Sequence, residues 1–463
     1  MLYRPGTLVF LLVSTATPAL AQDTLRLPRV LGSHMVLQRD KPIHVWGWAK
    51  KGQRVFVKFG KATGKAKAGK DGRWELQLPA QKANRKPTSM VVKSSGGEEI
   101  ELTDVLVGEV WLCSGQSNMA WNMTQTQRKN EEIPMAKHPQ IRLLAFGGKN
   151  PAWTACTPDS VKKFSGVGYH FGRALMKELK VPIGLIRSAV GGTKIEPWTP
   201  MVGAKMFKSL GKQGARDGNL FTRLIKPLSP MTMRGAIWYQ GESNVIQGDT
   251  AIYVDRQAAL VAGWRKVFKQ DDLSFYYVQI APFTYAVSFK KRNKNITADS
   301  LPLFWEAQTK CMQAIENSGM VVVTDITGNV RDIHPRNKRD VGERLARWAL
   351  AKNYGRDVVY SGPLYKSMKA KGKAITLSFD HVGGGLKSLD KKSLTEFMIA
   401  GADRKFVPAV AKIQGDTVVV RSRAVANPKA VRFGWNEATA PNLGNKAGLP
   451  AAPFRTDDWK PAK

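Results

Sequence analysis

Trp111-Leu-Cys-Ser-Gly-Gln-Ser-Asn-Met119 runs an apolar strand into a tight Gly-X-Ser turn ahead of a helical segment. A serine at such a turn exposes its hydroxyl and keeps its own backbone N–H free of helical partners. One residue can therefore offer both a nucleophile and an oxyanion donor. Gly-X-Ser triplets are common in ordinary turns, so the reading depends on what the rest of the chain sets beside Ser117.

Two further apolar runs end in the same manner. Ile183-Gly-Leu-Ile-Arg-Ser-Ala-Val190 stops at Gly191-Gly192-Thr193, and Gly235-Ala-Ile-Trp-Tyr239 stops at Gln240-Gly241-Glu242-Ser243-Asn244. In open α/β sheets the ligand crevice lies at the carboxyl ends of the strands, so three such ends can converge on one site. Arg331-Asp332-Ile333-His334-Pro335 then precedes Val341, Leu345 and Trp348, which share one helical face. That segment supplies a base, His334, and a nearby carboxylate, Asp332. Pro335 suits a first helical turn, and a helix N-terminus beside His334 would disfavour the imidazolium form.

Taken in order, Gly115-Gln-Ser-Asn-Met119, Gly191-Gly-Thr193 with Ile195-Glu196, Trp238-Tyr-Gln-Gly-Glu-Ser-Asn244 and Asp332-Ile-His-Pro335 resemble the sialate O-acetylesterase family of SGNH-type hydrolases. Met35-Val-Leu-Gln38 with Trp46-Gly-Trp48, Asp104-Val-Leu-Val-Gly108 and Pro453-Phe-Arg-Thr-Asp457 also look like that family, so the resemblance covers nearly the whole mature chain. It implies an SGNH-type three-layer α/β/α core around a parallel sheet. It also implies a serine esterase that removes O-acetyl groups from sugars, sialic acid or plant-type glycan, with no metal and no cofactor. On that reading Ser117 is the nucleophile, His334 the base and Asp332 the orienting acid. The oxyanion hole would draw on the N–H groups of Ser117 and of Gly192 or Gly191, and on the side-chain amide of Gln240.

Two departures stand out. In the wider superfamily two residues separate acid and base, whereas one separates Asp332 from His334; in an extended segment positions i and i+2 face the same side, so the pair is feasible. Asp325 and Glu242 are the other candidate orienters. Ala120 and Val190 stand where family members often carry an acidic and an aromatic residue, which bears on the choice of sugar.

Arg4, the apolar run Val9 to Val13 and Ala19-Leu20-Ala21 before Gln22 read as a signal peptide over residues 1–21, which predicts a secreted or periplasmic protein. That run is too short to span a bilayer, and no other segment looks transmembrane. Residues 25–104 read as a small β-sandwich, in which Trp74, Leu76 and Leu78 alternate with polar residues and Asp71-Gly72 signals a hairpin. Residues 105–355, the expected esterase core, alternate strands with helices, one carrying Val167, Phe171, Leu175 and Leu179. Residues 356–463 return to strands, with Ile375, Leu377 and Phe379 alternating and Val418-Val-Val420 after Gly415-Asp416.

The net charge of +36, from 72 Lys and Arg against 36 Asp and Glu, invites a nucleic-acid reading. Lys50, Lys51, Lys58, Lys61, Lys65, Lys67 and Lys70 are instead spread thinly, with few aromatic partners and no zinc-finger or helix-turn-helix spacing, so a solvated basic surface is expected and no nucleic-acid partner. His34, His44, His138, His170 and His381 have no partners at metal-ligand spacing. Cys113, Cys156 and Cys311 make an odd count, which argues against a disulfide framework; Cys113 reads as a buried strand residue. An α/β-hydrolase is disfavoured because Gly115 to Met119 lacks the second glycine of a Gly-X-Ser-X-Gly elbow. A non-catalytic glycan- or polyanion-binding protein would leave Ser117, Gln240 and His334 unexplained. The oligomeric state is not readable from the sequence.

Overall fold

The strand Glu99–Gly115 organises the molecule. In the computed structural model, which describes residues 24–459, its first residues alternate between exposed and more buried positions, whereas every residue from Val105 to Gly115 is buried. Alternation suits an antiparallel strand with one wet face, and continuous burial suits a central parallel strand covered on both sides. The strand does both in turn: it pairs antiparallel with Asn84–Ser94, then parallel with core strands. Asp104 marks the change at a left-handed φ of 55°, its carboxylate accepting two hydrogen bonds from Arg142 and contacting His34 Nδ1 at 2.7 Å. The expected division between residues 104 and 105 thus falls inside one strand.

The core sheet runs in the order Ser318–Val321, Ser274–Val278, Gly235–Tyr239, Glu99–Gly115, Ile183–Ala189 and His138–Ala145, all parallel, and closes with antiparallel Trp153–Cys156. Helices Gly166–Leu179 and Lys338–Tyr354 cover one face, where Trp111 meets Phe171 edge-on at 5.0 Å and stacks near Tyr276. Tyr253–Phe268 and Ser300–Ala314 cover the other, where Trp238 meets Trp264 and Phe275. Phe275 and Tyr276, adjacent in one strand, point to opposite layers, as the two-residue period of a strand requires. This is the expected three-layer α/β/α arrangement around a parallel sheet.

Register then fixes the site. Gly115 pairs with Ala189 on one side and Tyr239 on the other, so the three strands end level. Their following loops, which carry Ser117, Gly191-Gly192 and Gln240 to Asn244, must share one crevice.

Helix Gly166–Leu179 spans the periodic residues expected of it, and the Ser165 hydroxyl caps it by accepting the Gly168 N–H. The helix expected to begin at Pro335 starts instead at Lys338. Asn337 is the cap that wins, its side chain accepting the Asp340 N–H, and His334 therefore sits on the approach loop rather than in a first helical turn.

Among the N-terminal strands, Arg54–Phe59 lies between Ala62–Lys67 and Asn84–Ser94, and Ile43–Trp48 pairs with Arg73–Leu78. Asp71-Gly72 does form a tight turn, with Gly72 at φ 75°, but joins no hairpin. The strand before it, Ala62–Lys67, is already paired with Arg54–Phe59, so the chain crosses to the other sheet at the turn. The Lys residues noted at 50, 51, 58, 61, 65, 67 and 70 are all exposed.

Beyond the core, Leu364–Lys371, Ala374–Asp380, Thr417–Arg421 and Val410–Gln414 form one antiparallel sheet, and Phe397–Ala400 and Ala430–Phe433 are central to another. They enclose a separate core that includes Ile375, Leu377, Ile399, Val418 and Phe433. One loop of this module docks on the α/β core: Trp435 Nε1 donates to Asp299, and the Glu437 carboxylate accepts the Ala286 N–H at 2.9 Å. Cys113, Cys156 and Cys311 are buried free thiols. Among the described residues no helix is long and apolar enough to cross a membrane, and the expected signal peptide lies outside them.

Candidate active site

Gly115 makes the serine turn possible. Its φ is +135°, and a Cβ there would lie 2.2 Å from the Tyr239 carbonyl oxygen, so only glycine lets the chain pass. Gln116 N–H then donates to that same carbonyl, and the short helix Ser117–Ala120 begins. As the first helical residue, Ser117 has an N–H without an intrahelical acceptor. Its Oγ lies 2.8 Å from His334 Nε2.

The glycine loop lies alongside. A Cβ on Gly191 would stand 3.4 Å from Ser117 Cβ, while Gly192, at φ +69°, faces open space. Thr193 Oγ1 donates to the Val190 carbonyl and closes the turn.

Gln240, expected at the oxyanion hole, is placed otherwise. It is fully buried, and its amide N–H groups donate to the Thr193 carbonyl at 3.1 Å and to Asn244 Oδ1 at 2.7 Å, while Tyr253 donates to its Oε1. With both donors occupied it props the glycine loop instead of facing a substrate. Asn244 extends the support, accepting the Ile195 N–H and donating to Glu196.

The orienting acid also differs from expectation. The Asp332 carboxylate accepts the His334 backbone N–H at 2.9 Å, and its distance to His334 Nδ1 is 3.9 Å, beyond a hydrogen bond. An Asp two residues before another N–H closes a local turn, and that bond has drawn the carboxylate from the ring. Asp325 is no substitute, because both its oxygens pair with Arg344 at 2.7 and 2.6 Å. Glu242 accepts from Asn118 Nδ2 at 2.5 Å.

What holds the ring is Trp121, whose indole stacks on the imidazole at 4.3 Å and 19°. Burial holds the His334 pKa below its ordinary value, the Lys338 cation pushes it the same way, and Asp332 opposes both. Lys338 is itself buried, with Nζ donating to Asn118 Oδ1 at 2.6 Å, and burial brings its pKa down to about 7. Asn118 in turn donates to the Ile333 carbonyl at 3.0 Å. Burial raises the Glu242 pKa, and its Oε2 has no hydrogen-bond partner.

Sequence reasoning missed Trp121, Asn118 and Lys338. Lys338 did carry a signal: it continues the stripe of Val341, Leu345 and Trp348, which sets it on the face that the helix turns to the core. Among the described residues no three His, Cys, Asp or Glu side chains converge to hold a metal ion.

The contacts of His334 set up a comparison. Asp332→Asn keeps an Oδ1 for the His334 N–H, so its kcat/KM on an aryl acetate should fall no more than about tenfold. Trp121→Ala removes the ring's support and should cost roughly ten- to hundredfold, with Trp121→Phe in between. A larger loss in Asp332→Asn than in Trp121→Ala would restore the carboxylate as the main orienter.

Residues 107–351, which include all four site motifs, match the family described as carbohydrate esterase, sialic acid-specific acetylesterase. The chain belongs to that family. It is accordingly a carboxylic ester hydrolase. It is 30% identical to the sialate O-acetylesterase of Homo sapiens over 73% of each chain, and 26% identical to that of Rattus norvegicus over 93% of each. The crystal structure of a carbohydrate acetylesterase from Xanthomonas citri is similar with a TM-score of 0.85 and 37% identity, over 94% of this chain and 100% of that one. Family membership thus coincides with the crevice where Ser117, His334 and the glycine loop meet.

Proposed function

We propose that this chain is a secreted or periplasmic serine esterase that removes O-acetyl groups from sugars through an acetyl-enzyme on Ser117. The observation that carries the reading is the 2.8 Å contact between Ser117 Oγ and His334 Nε2 at the level ends of three parallel strands. Export follows from the pattern of Arg4, Val9 to Val13 and Ala19-Leu20-Ala21.

The geometry supports a two-step reaction. Ser117 Oγ attacks the acetyl carbonyl while His334 Nε2 takes its proton, and the oxyanion receives the Ser117 N–H and an N–H of the Gly191-Gly192 turn. The intermediate collapses as His334 returns the proton to the leaving sugar oxygen, freeing the hydroxyl. Water, deprotonated by His334, then releases acetate and restores Ser117. Asp332 acts as a charge at a distance, and Trp121 holds the ring plane.

The names of the relatives favour O-acetylated sialic acid, and the Xanthomonas citri structure leaves room for another O-acetylated carbohydrate. The test is acetate release from O-acetylated sialic acid and O-acetylated xylan against an aryl acetate control, with rapid acid quenching and peptide mapping. The expected result is turnover of at least one glycan and one acetyl group on the Ser117 peptide. Absence of acetate release from every ester would overturn the reading in favour of a glycan-binding protein.

A further inference from the structure

His334 lacks a carboxylate within hydrogen-bond reach of Nδ1, so other groups must set both its position and its charge. Directly beneath the site a lysine, an amide and a carboxylate form a buried chain that joins three motifs. Lys338 Nζ donates to Asn118 Oδ1 at 2.6 Å, and Asn118 Nδ2 donates to Glu242 Oε1 at 2.5 Å and to the Ile333 carbonyl at 3.0 Å. Asn118 follows the nucleophile, and Ile333 precedes the base. The Nζ also stands 5.8 Å from the centre of Trp121, the ring on which His334 is stacked, and 5.5 Å from that of Tyr239.

We propose that Lys338 is a positioning residue for the reaction: its buried ammonium opposes protonation of His334 and, through Asn118 and the Ile333 carbonyl, it fixes where the imidazole stands. The inference rests on the serine-esterase reading of this site. Burying an amine beside a base is costly, and here neither a salt bridge nor solvent compensates directly, since the Lys338 Nζ hydrogen-bonds an amide. An apolar residue would serve packing alone at less cost.

The titratable groups acting on His334 are Lys338, from the helix after it, and Asp332, from its own loop. Those facing Lys338 are Glu242, from helix Glu242–Gln247, and Asp332. A cation near the ring raises the cost of imidazolium, so His334 remains the neutral base to lower pH. Lys338 titrates near about 7, so this influence acts below that pH and fades above it.

Lys338→Gln keeps a donor for Asn118 but deletes the charge, and Lys338→Met deletes both. For Lys338→Gln, kcat/KM on an aryl acetate should fall about fivefold at roughly pH 5.5 and match wild type within about twofold at roughly pH 8.5. Lys338→Met should show the same acid-side loss and, in addition, a drop of about tenfold at the higher pH. Loss of a lysine with a merely structural role would lower kcat/KM equally at both pH values, and an equal loss in Lys338→Gln overturns the inference.

A measurement on the unaltered enzyme can still overturn the inference if neither variant folds. The rate of Ser117 modification by a fluorophosphonate should rise with pH through a midpoint below 6.5, the ordinary histidine value, and a midpoint at or above it overturns the inference. Failure of the probe to modify Ser117 at any pH would be a different result: it would overturn the serine-esterase reading, and this inference with it.

Discussion

Ser117→Ala is expected to lower acetate release by at least about four orders of magnitude while leaving the fold intact. The serine is half-buried at the start of a short helix, where alanine is well tolerated, and its hydroxyl makes one hydrogen bond, to His334. The neighbouring thiol offers no substitute. Cys113, four residues earlier, is fully buried, and its thiol pKa is raised far above the ordinary value, so it stays a protonated thiol. The variant should show the thermal unfolding of the parent and bind an acetylated glycan without turning it over. Turnover within about tenfold of the parent would sink the mechanism.

Asp325→Ala is expected to have the largest effect on stability, about 3 kcal/mol. Its carboxylate meets both terminal nitrogens of Arg344, whose side chain is only 9% exposed and also donates to the Val322 carbonyl. Removing the acid leaves a guanidinium buried without a counter-charge, which costs more than the pair itself contributes. Well below the melting temperature, acetyl-ester hydrolysis should fall less than about tenfold, because Asp325 does not touch the His334 ring. Urea unfolding with matched activity assays separates the two effects. A large rate loss with unchanged stability would instead mark Asp325 as part of the catalytic group.

The meeting of Ser117, His334 and the glycine loop was legible because each is written locally. A strand that stops at glycine, followed by a serine, has one way to present the hydroxyl, and the helices after it show a 3.6-residue period. The orienting group was not legible, because the sequence lists the carboxylates but not what competes for them. A backbone N–H two residues away captured Asp332, and an arginine on a distant helix captured Asp325. Gln240 was misplaced for the same reason. Its partners Thr193 and Tyr253 are remote along the chain, and only the folded register shows its amide already satisfied. The division of the chain was blurred by a strand that changes character at Asp104 without ending.

That continuity limits how this enzyme could have been assembled, or could be taken apart. Glu99–Gly115 has no linker at which a cassette could be cut, exchanged or fused: a break at residue 104 or 105 would sever the backbone that leads straight to the turn carrying Ser117. Shuffling the N-terminal β region between relatives therefore calls for crossovers ahead of Glu99, and a minimal catalytic fragment must keep Asn84–Ser94 as the partner of that first segment.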